Sequence, residues 1–184
     1  VLPPPLPRDR VVLGSRGSEL ARIQADRVAE GLRERWPGLE VEIEWITTTG
    51  DRVLDQPLPE IGGKGVFTAE LEAALLQGEI DAAVHSLKDL PTDLGEAFAV
   101  LGVPEREDAR DVLLGPEGPV TVDELEEGAM VGTSSLRRRA QLLARRPDCA
   151  VRDVRGNVGT RVAKMEDGEY DAVILAAAGL RRLG

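Results

Sequence analysis

Residues 10–46, RVVLGSRGSELARIQADRVAEGLRERWPGLEVEIEWI, set the fold class. A short apolar strand over 10–13 enters a turn at Gly14 to Gly17, and a helix follows from about Ser18 to Arg35. Leu20, Ile23, Val28 and Leu32 fall at helical spacing, and Pro37-Gly38 ends the run. LEVEIEWI over 39–46 then alternates as a half-buried strand. This is strand, helix, strand in one pass.

The same alternation runs through the chain. A helix is expected over 68–77 with Gly78 past its end, and strands over 80–85 and 97–103. PEREDAR over 104–110 reads as a charged, solvated connector running to Asp111. Beyond it, strands are expected at 112–114, 130–132, 150–154 and 172–175. A short helix lies near 122–126, and longer ones over 135–146, 158–165 and 176–183. Short apolar strands between amphipathic helices predict an α/β fold with mainly parallel sheets covered on both faces. Residues 1–9 form a flexible, proline-rich leader, 10–104 a first domain and 105–184 a second. The last βα unit stops at Gly184 with no further strand, so the chain is expected to be cut off.

The net charge of -10 is unevenly spread. Residues 129–184 hold 11 Lys and Arg against 6 Asp and Glu, leaving 12 against 27 before them. An acidic first part argues against nucleic acid, which asks for a basic surface. A small arginine-rich part suits a small anion. Residues 1–7, VLPPPLP, lack the basic and apolar regions of a secretion signal. No apolar run approaches the roughly 20 residues that span a bilayer. A single cysteine, Cys149, rules out an internal disulfide framework. These features fit a cytoplasmic protein.

Three strand-to-helix turns share one design. GSRGSEL holds Arg16 and the N-cap candidate Ser18. GTSSLRRR lines its turn with Thr133, Ser134 and Ser135 and starts its helix with Arg137 and Arg138. VRGNVGTR offers Arg155, the cap candidate Asn157 and Arg161. A helix N-terminus with unpaired N–H groups suits an anion, and arginine matches a carboxylate with a planar fork. Each hydrogen bond to a charged group contributes about 1.5–3 kcal/mol. Plain N-caps and solvated arginines would explain any one turn; three in one chain favour a ligand with several carboxylates.

HSLKD over 85–89 leaves a strand with Lys88 and Asp89 together, and Asp89 is the candidate acid/base group. A surface ion pair explains it as well. His85 reads as structural. GGKG over 62–65 places Lys64 on a lid or on a plain flexible loop; its spacing is not that of a P-loop. Cys149 has no histidine partner or metal-ligand spacing and reads as structural, and no metal is expected.

GSRGSELA, IGGKGVFTAELE, DAAVHSLKDLPT, EREDARD, VGTSSLRRRAQL, VRGNVGTRVAKM and GEYDAVILAAAGLRRLG occur in order from about Val11 to Gly184. Together they resemble the porphobilinogen deaminase (hydroxymethylbilane synthase) family. The resemblance implies a transferase of tetrapyrrole biosynthesis, joining four porphobilinogens head to tail with loss of ammonia. It implies Asp89 as the catalytic residue. Arg16, Ser18, Lys88, Thr133, Ser134, Ser135, Arg137, Arg138, Arg155, Asn157, Arg161 and Arg182 match positions that hold the carboxylates of substrate and cofactor, and Lys64 falls on a mobile loop. It also implies a dipyrromethane cofactor, bound to a cysteine of a third domain beyond Gly184 and not to Cys149. Two domains like type II periplasmic binding proteins around a cleft, in a monomer, complete the implied picture. Without the third domain the chain is expected to be inactive alone. Glu60 and Thr49 stand where the family often has a basic residue, a departure in that loop. The alternative is a two-domain binding protein for a small anion, without chemistry.

Overall fold

The computed structural model describes residues 9–52 and 65–184. It divides into two compact units, Val1–Pro104 and Glu105–Gly184.

In the first unit, β1 (Arg10–Arg16), β2 (Glu40–Ile46) and β3 (Ala82–Ala83) form a parallel sheet in the order β2-β1-β3. Helix α1 (Glu19–Arg35) covers one face, with Ala29, Val28 and Leu32 against Leu13, Leu39 and Val41. Helices α2 (Thr49–Arg52) and α3 (Ala69–Gln77) follow β2, and Leu71 and Ala74 of α3 join Ile80 and Val12 on the other face. Gly78 ends α3 in the left-handed region at φ 71°, where a side chain would be strained.

Three expectations are corrected here. β1 does not stop at Leu13: Gly14, Ser15 and Arg16 pair with Glu44, Trp45 and Ile46, because β2 offers partners for the full length. Gly14 serves close packing instead of a turn, since a Cβ there would lie 2.3 Å from Ile80 Cδ1. The strand expected over 80–85 shrinks to two paired residues before the chain bends into a 3-10 turn at Leu87–Asp89. No strand forms over 97–103. Val100, Leu101 and Val103 are exposed, and the apolar run finds no partner strand among the described residues.

The second unit is a five-stranded mixed sheet in the order β5-β4-β8-β6-β7. Its strands are β4 (Asp111–Gly115), β5 (Gly118–Val120), β6 (Met130–Gly132), β7 (Ala150–Arg152) and β8 (Ala172–Ala176). β6 is parallel to β7 and β8, whereas β4 is antiparallel to β8 and β5. The hairpin strand β5 is too short to show in the sequence, and the helix expected near 122–126 is a 3-10 turn at Val122–Glu124. Helix α4 (Leu136–Arg145) packs Leu142 on Ala172 and Ile174 of β8. Helices α5 (Val158–Glu166) and α6 (Ala177–Leu183) pack Met165 and Leu180 with Val173 and Leu175. β8 is thus buried on both faces, which its unbroken apolar sequence requires.

Residues 105–111 are more than a solvated connector. Asp111 opens β4, and Arg181 of α6 pairs with Asp108 at 3.0 Å and Glu107 at 3.5 Å.

Candidate functional site

In the first unit the chemistry gathers where β1 and β3 end. Arg16 is the last residue of β1, and its guanidinium is gripped by Asp51 of α2, with Nε 3.1 and 3.2 Å from the two carboxylate oxygens and one terminal amine closer still. A second amine lies 3.9 Å from Asp89 Oδ2, and the guanidinium sits over the ring of Phe67, 4.2 Å from its centroid. Asp51 also accepts from the Thr48 backbone N–H at 3.1 Å and hydroxyl at 2.7 Å. Burial resists ionisation of Asp51, but Arg16 and Thr48 outweigh it and hold the carboxyl below its usual range.

Asp89 closes the 3-10 turn, its N–H bonded to Ser86 O at 2.9 Å. The Ser86 hydroxyl donates to Gln24 of α1 at 3.0 Å, which ties this turn to the helix. Lys88 is exposed beside it. His85 is half-buried; burial lowers its pKa and Arg16 adds to this, while Asp89 opposes it. Ser18 holds the N-cap position of α1 but makes no side-chain capping bond, so its hydroxyl is not committed to the helix. Thr49 is held by Glu70 through its N–H and hydroxyl, at 2.8 and 2.6 Å. Lys64 and Glu60 lie outside the described residues.

In the second unit the corresponding edge carries α4, α5 and α6. Thr133 is buried after β6, and its hydroxyl accepts from the N–H of Ser135 at 3.2 Å. Ser135 caps α4 at the N–H of Arg138, and Ser134 donates to Val154 O at 2.8 Å. Asn157 caps α5, accepting from the N–H and hydroxyl of Thr160, both at 2.8 Å. These polar groups shape the turns. Arg137 and Arg138 both reach Asp111, at 3.0 and 2.6 Å. Arg138 also donates to Ile174 O at 3.1 Å, while its buried Nε has no hydrogen-bond partner. Arg161 donates to Gly156 O at 2.8 Å, and burial lowers its pKa, aided by the charges of Arg138 and Arg155. Arg155 and Arg182 are half-buried. Cys149 lies in the core with Leu113, Val131 and Leu142, and burial pushes its thiol up.

The structure therefore brings Arg16 and Asp89 together in one unit and Arg137 and Arg138 together on Asp111 in the other. Sequence reasoning missed Asp51, Asp111 and Phe67. Thr48-x-x-Asp51 has the spacing of a helix cap and could have drawn attention to Asp51. For Asp111 no local signal exists, because its partners lie on α4 and reach it only when that helix packs on the sheet.

Among the described residues no helix is long and apolar enough to cross a membrane. The family model described as "Porphobilinogen deaminase, dipyromethane cofactor binding domain" matches residues 11–184. Porphobilinogen deaminase of Sulfurimonas denitrificans is 52% identical over 174 residues, covering 95% of this chain and 55% of the relative. That of Chromobacterium violaceum is 53% identical over 176 residues, covering 96% and 57%. The chain thus spans somewhat more than half the length of these curated relatives. Among solved structures, substrate-binding domain 2 of Lactococcus lactis GlnP in its open conformation aligns at a TM-score of 0.53 and 13% identity. That alignment covers 94% of this chain and 70% of the other, and it supports the α/β binding-protein fold alone.

A dipyrromethane cofactor fits the residues present. The buried, unpartnered Nε of Arg138 and the mutually repelling guanidiniums around Arg161 call for added negative charge, which a multiply carboxylated group brings. With a match over nearly its whole length and half its residues identical to the curated relatives, the chain belongs to the porphobilinogen deaminase family.

Proposed function

We propose that this chain serves the family reaction, in which porphobilinogen units are joined head to tail into hydroxymethylbilane with release of ammonia. The observation that carries the reading is the placement of Asp89 beside Arg16, 3.9 Å away at the C-terminal edge of a parallel sheet, where open α/β sheets bind ligands. A cation that holds a substrate carboxylate and an anion that faces the reacting pyrrole are then adjacent.

In this reading Asp89 is the catalytic residue. Its carboxylate accepts hydrogen bonds from pyrrole N–H groups and stabilises the positive charge that develops as ammonia leaves. Arg16, Ser18 and Lys88 hold carboxylates of the substrate and the cofactor. Thr133, Ser134, Ser135, Arg137, Arg138, Arg155, Asn157, Arg161 and Arg182 do the same from the second unit. When bound, dipyrromethane supplies the covalent starting point to which pyrroles are added. Cys149, enclosed in the core, packs and does not anchor it. The protein works as a cytoplasmic monomer on small molecules, without nucleic acid or membrane, in keeping with its net charge of -10.

The test is a chimera joining this chain to the C-terminal remainder of the Sulfurimonas denitrificans relative, incubated with porphobilinogen. Ammonia and a linear tetrapyrrole are expected. Asp89→Asn should lower turnover by about a hundredfold or more with the circular dichroism spectrum unchanged. A folded chimera that binds porphobilinogen without turnover would favour a binding protein instead. Full turnover in Asp89→Asn would remove Asp89 from the chemistry.

A further inference from the structure

We propose that Asp111 is a positioning residue: its carboxylate gathers Arg137 and Arg138 onto one face and presents them to a multiply carboxylated ligand. The inference deepens the reading above by naming a residue that acts through the arginines without itself touching the ligand.

Arg137 and Arg138 are neighbours on α4, so their Cα–Cβ directions differ by about 100° around the helix. Left alone, two adjacent cations at that angle would separate. They converge because one carboxylate takes both, Oδ2 from Arg137 at 3.0 Å and Oδ1 from Arg138 at 2.6 Å. That carboxylate is itself held in place. Asp111 pairs with Ala176 in the β4–β8 ladder, and Ala177 N–H bonds to Arg110 O at 2.9 Å. The anchor is therefore backbone, and it lies beside the end of β8.

Arg138 is the inner member, 16% exposed, and Arg137 the outer one at 60%. With one amine on Asp111 and another on Ile174 O, the Arg138 head group is fixed at two points. Its Nε is buried with no hydrogen-bond partner, a donor that a ligand oxygen can satisfy. Arg161, held to Gly156 O at 2.8 Å, stands in the field of this fixed charge. Asp111 thus orders a basic cluster that helix geometry alone would scatter.

The opposite role is physically possible: a resident carboxylate can compete with the ligand for the same guanidiniums. The two roles predict opposite signs. Binding of porphobilinogen, and of citrate as a generic polycarboxylate, is measured by isothermal titration for the parent chain, Asp111→Asn, Arg137→Gln and the double variant. Positioning predicts that Asp111→Asn weakens binding about tenfold. It also predicts that the double variant is no weaker than the worse single one, because both changes act through the same pair. Asp111→Glu, which keeps the charge but moves it, should recover part of the loss. A purely structural role would lower the melting temperature and leave affinity unchanged, while the contact itself is read from the side-chain NMR signals of Arg138. Its terminal amine protons should be resolved in the parent and averaged by rotation in Asp111→Asn.

Equal or tighter binding by a folded Asp111→Asn would overturn the proposal. If that variant does not fold, unchanged affinity and unchanged Arg138 signals in Asp111→Glu would do so. A parent that binds citrate but not porphobilinogen sinks the substrate reading and leaves Asp111 standing. A parent that binds neither overturns both.

Discussion

The ring of Phe67 lies against the guanidinium of Arg16, 4.2 Å from centroid to cation. The same ring fills the space beside Gly50, where a Cβ would come within 2.1 Å of Phe67 Cε1. Arg16 is thus stacked on one side and forked to Asp51 on another. Phe67→Leu should cost about 0.5–2 kcal/mol from the cation–π contact, with some packing loss, measured by urea denaturation. Arg16→Lys should weaken porphobilinogen binding more than Phe67→Leu does, since a lysine offers neither fork nor stacking plane. Equal binding by the two variants would show that the guanidinium fork adds nothing to ligand binding beyond the stack.

His85 is the chain's single histidine, so its imidazole titration is unambiguous by NMR. Burial and Arg16 lower its folded pKa below the ordinary value of about 6.5, against the opposing pull of Asp89. Between the two pKa values the unfolded chain binds more protons, so stability rises with pH there and falls as pH drops below about 6.5. The expected result is a midpoint below 6.5 that moves further down in Asp89→Asn, where the opposing charge is gone. An upward movement would contradict the assigned neighbours.

Gly132 ends β6 just before Thr133, and a Cβ there would meet Tyr170 Cδ1 and Val173 Cγ1, both at 2.9 Å. Neither can yield easily: the Tyr170 hydroxyl donates to Asp153 O at 2.8 Å, and Val173 lies within a buried strand. Gly132→Ala should destabilise by about 1–3 kcal/mol. Gly14→Ala, whose nearest obstacle is the movable tip of Ile80, should cost less. Thermal unfolding of the two variants decides the order.

The turn before α5 rests on two adjacent residues. Asn157 accepts two hydrogen bonds from Thr160, and Gly156 adopts φ 109°. Asn157→Ala should cost about 1 kcal/mol, with Asn157→Ser recovering most of it. Gly156→Ala should cost more, because the left-handed backbone and a Thr160 methyl group 2.6 Å away both oppose a side chain. If Asn157→Ala also weakens polycarboxylate binding, the cap positions Arg155 and Arg161 as well as the helix.

Much of this protein is legible in its sequence. Helical spacing placed α1 within a residue of its observed start, and the polar turns after β1, β6 and β7 marked the edge that gathers arginine. These features depend on residues a few positions apart, and local spacing encodes them directly. Partner choice does not work that way. Arg16 meets Asp51 across 35 residues and Arg138 meets Asp111 across 27, distances closed only when helices α2 and α4 settle against the assembled sheets. The antiparallel placement of β4 decided that Asp111 opens a strand beside β8, and 97–103 finds no partner strand among the described residues. Sequence alone determined the βα units, the family and the arginine-bearing turns. Tertiary structure decided which carboxylates hold those arginines, because ion pairs between elements follow from how the sheet assembles and leave no periodic trace in the chain.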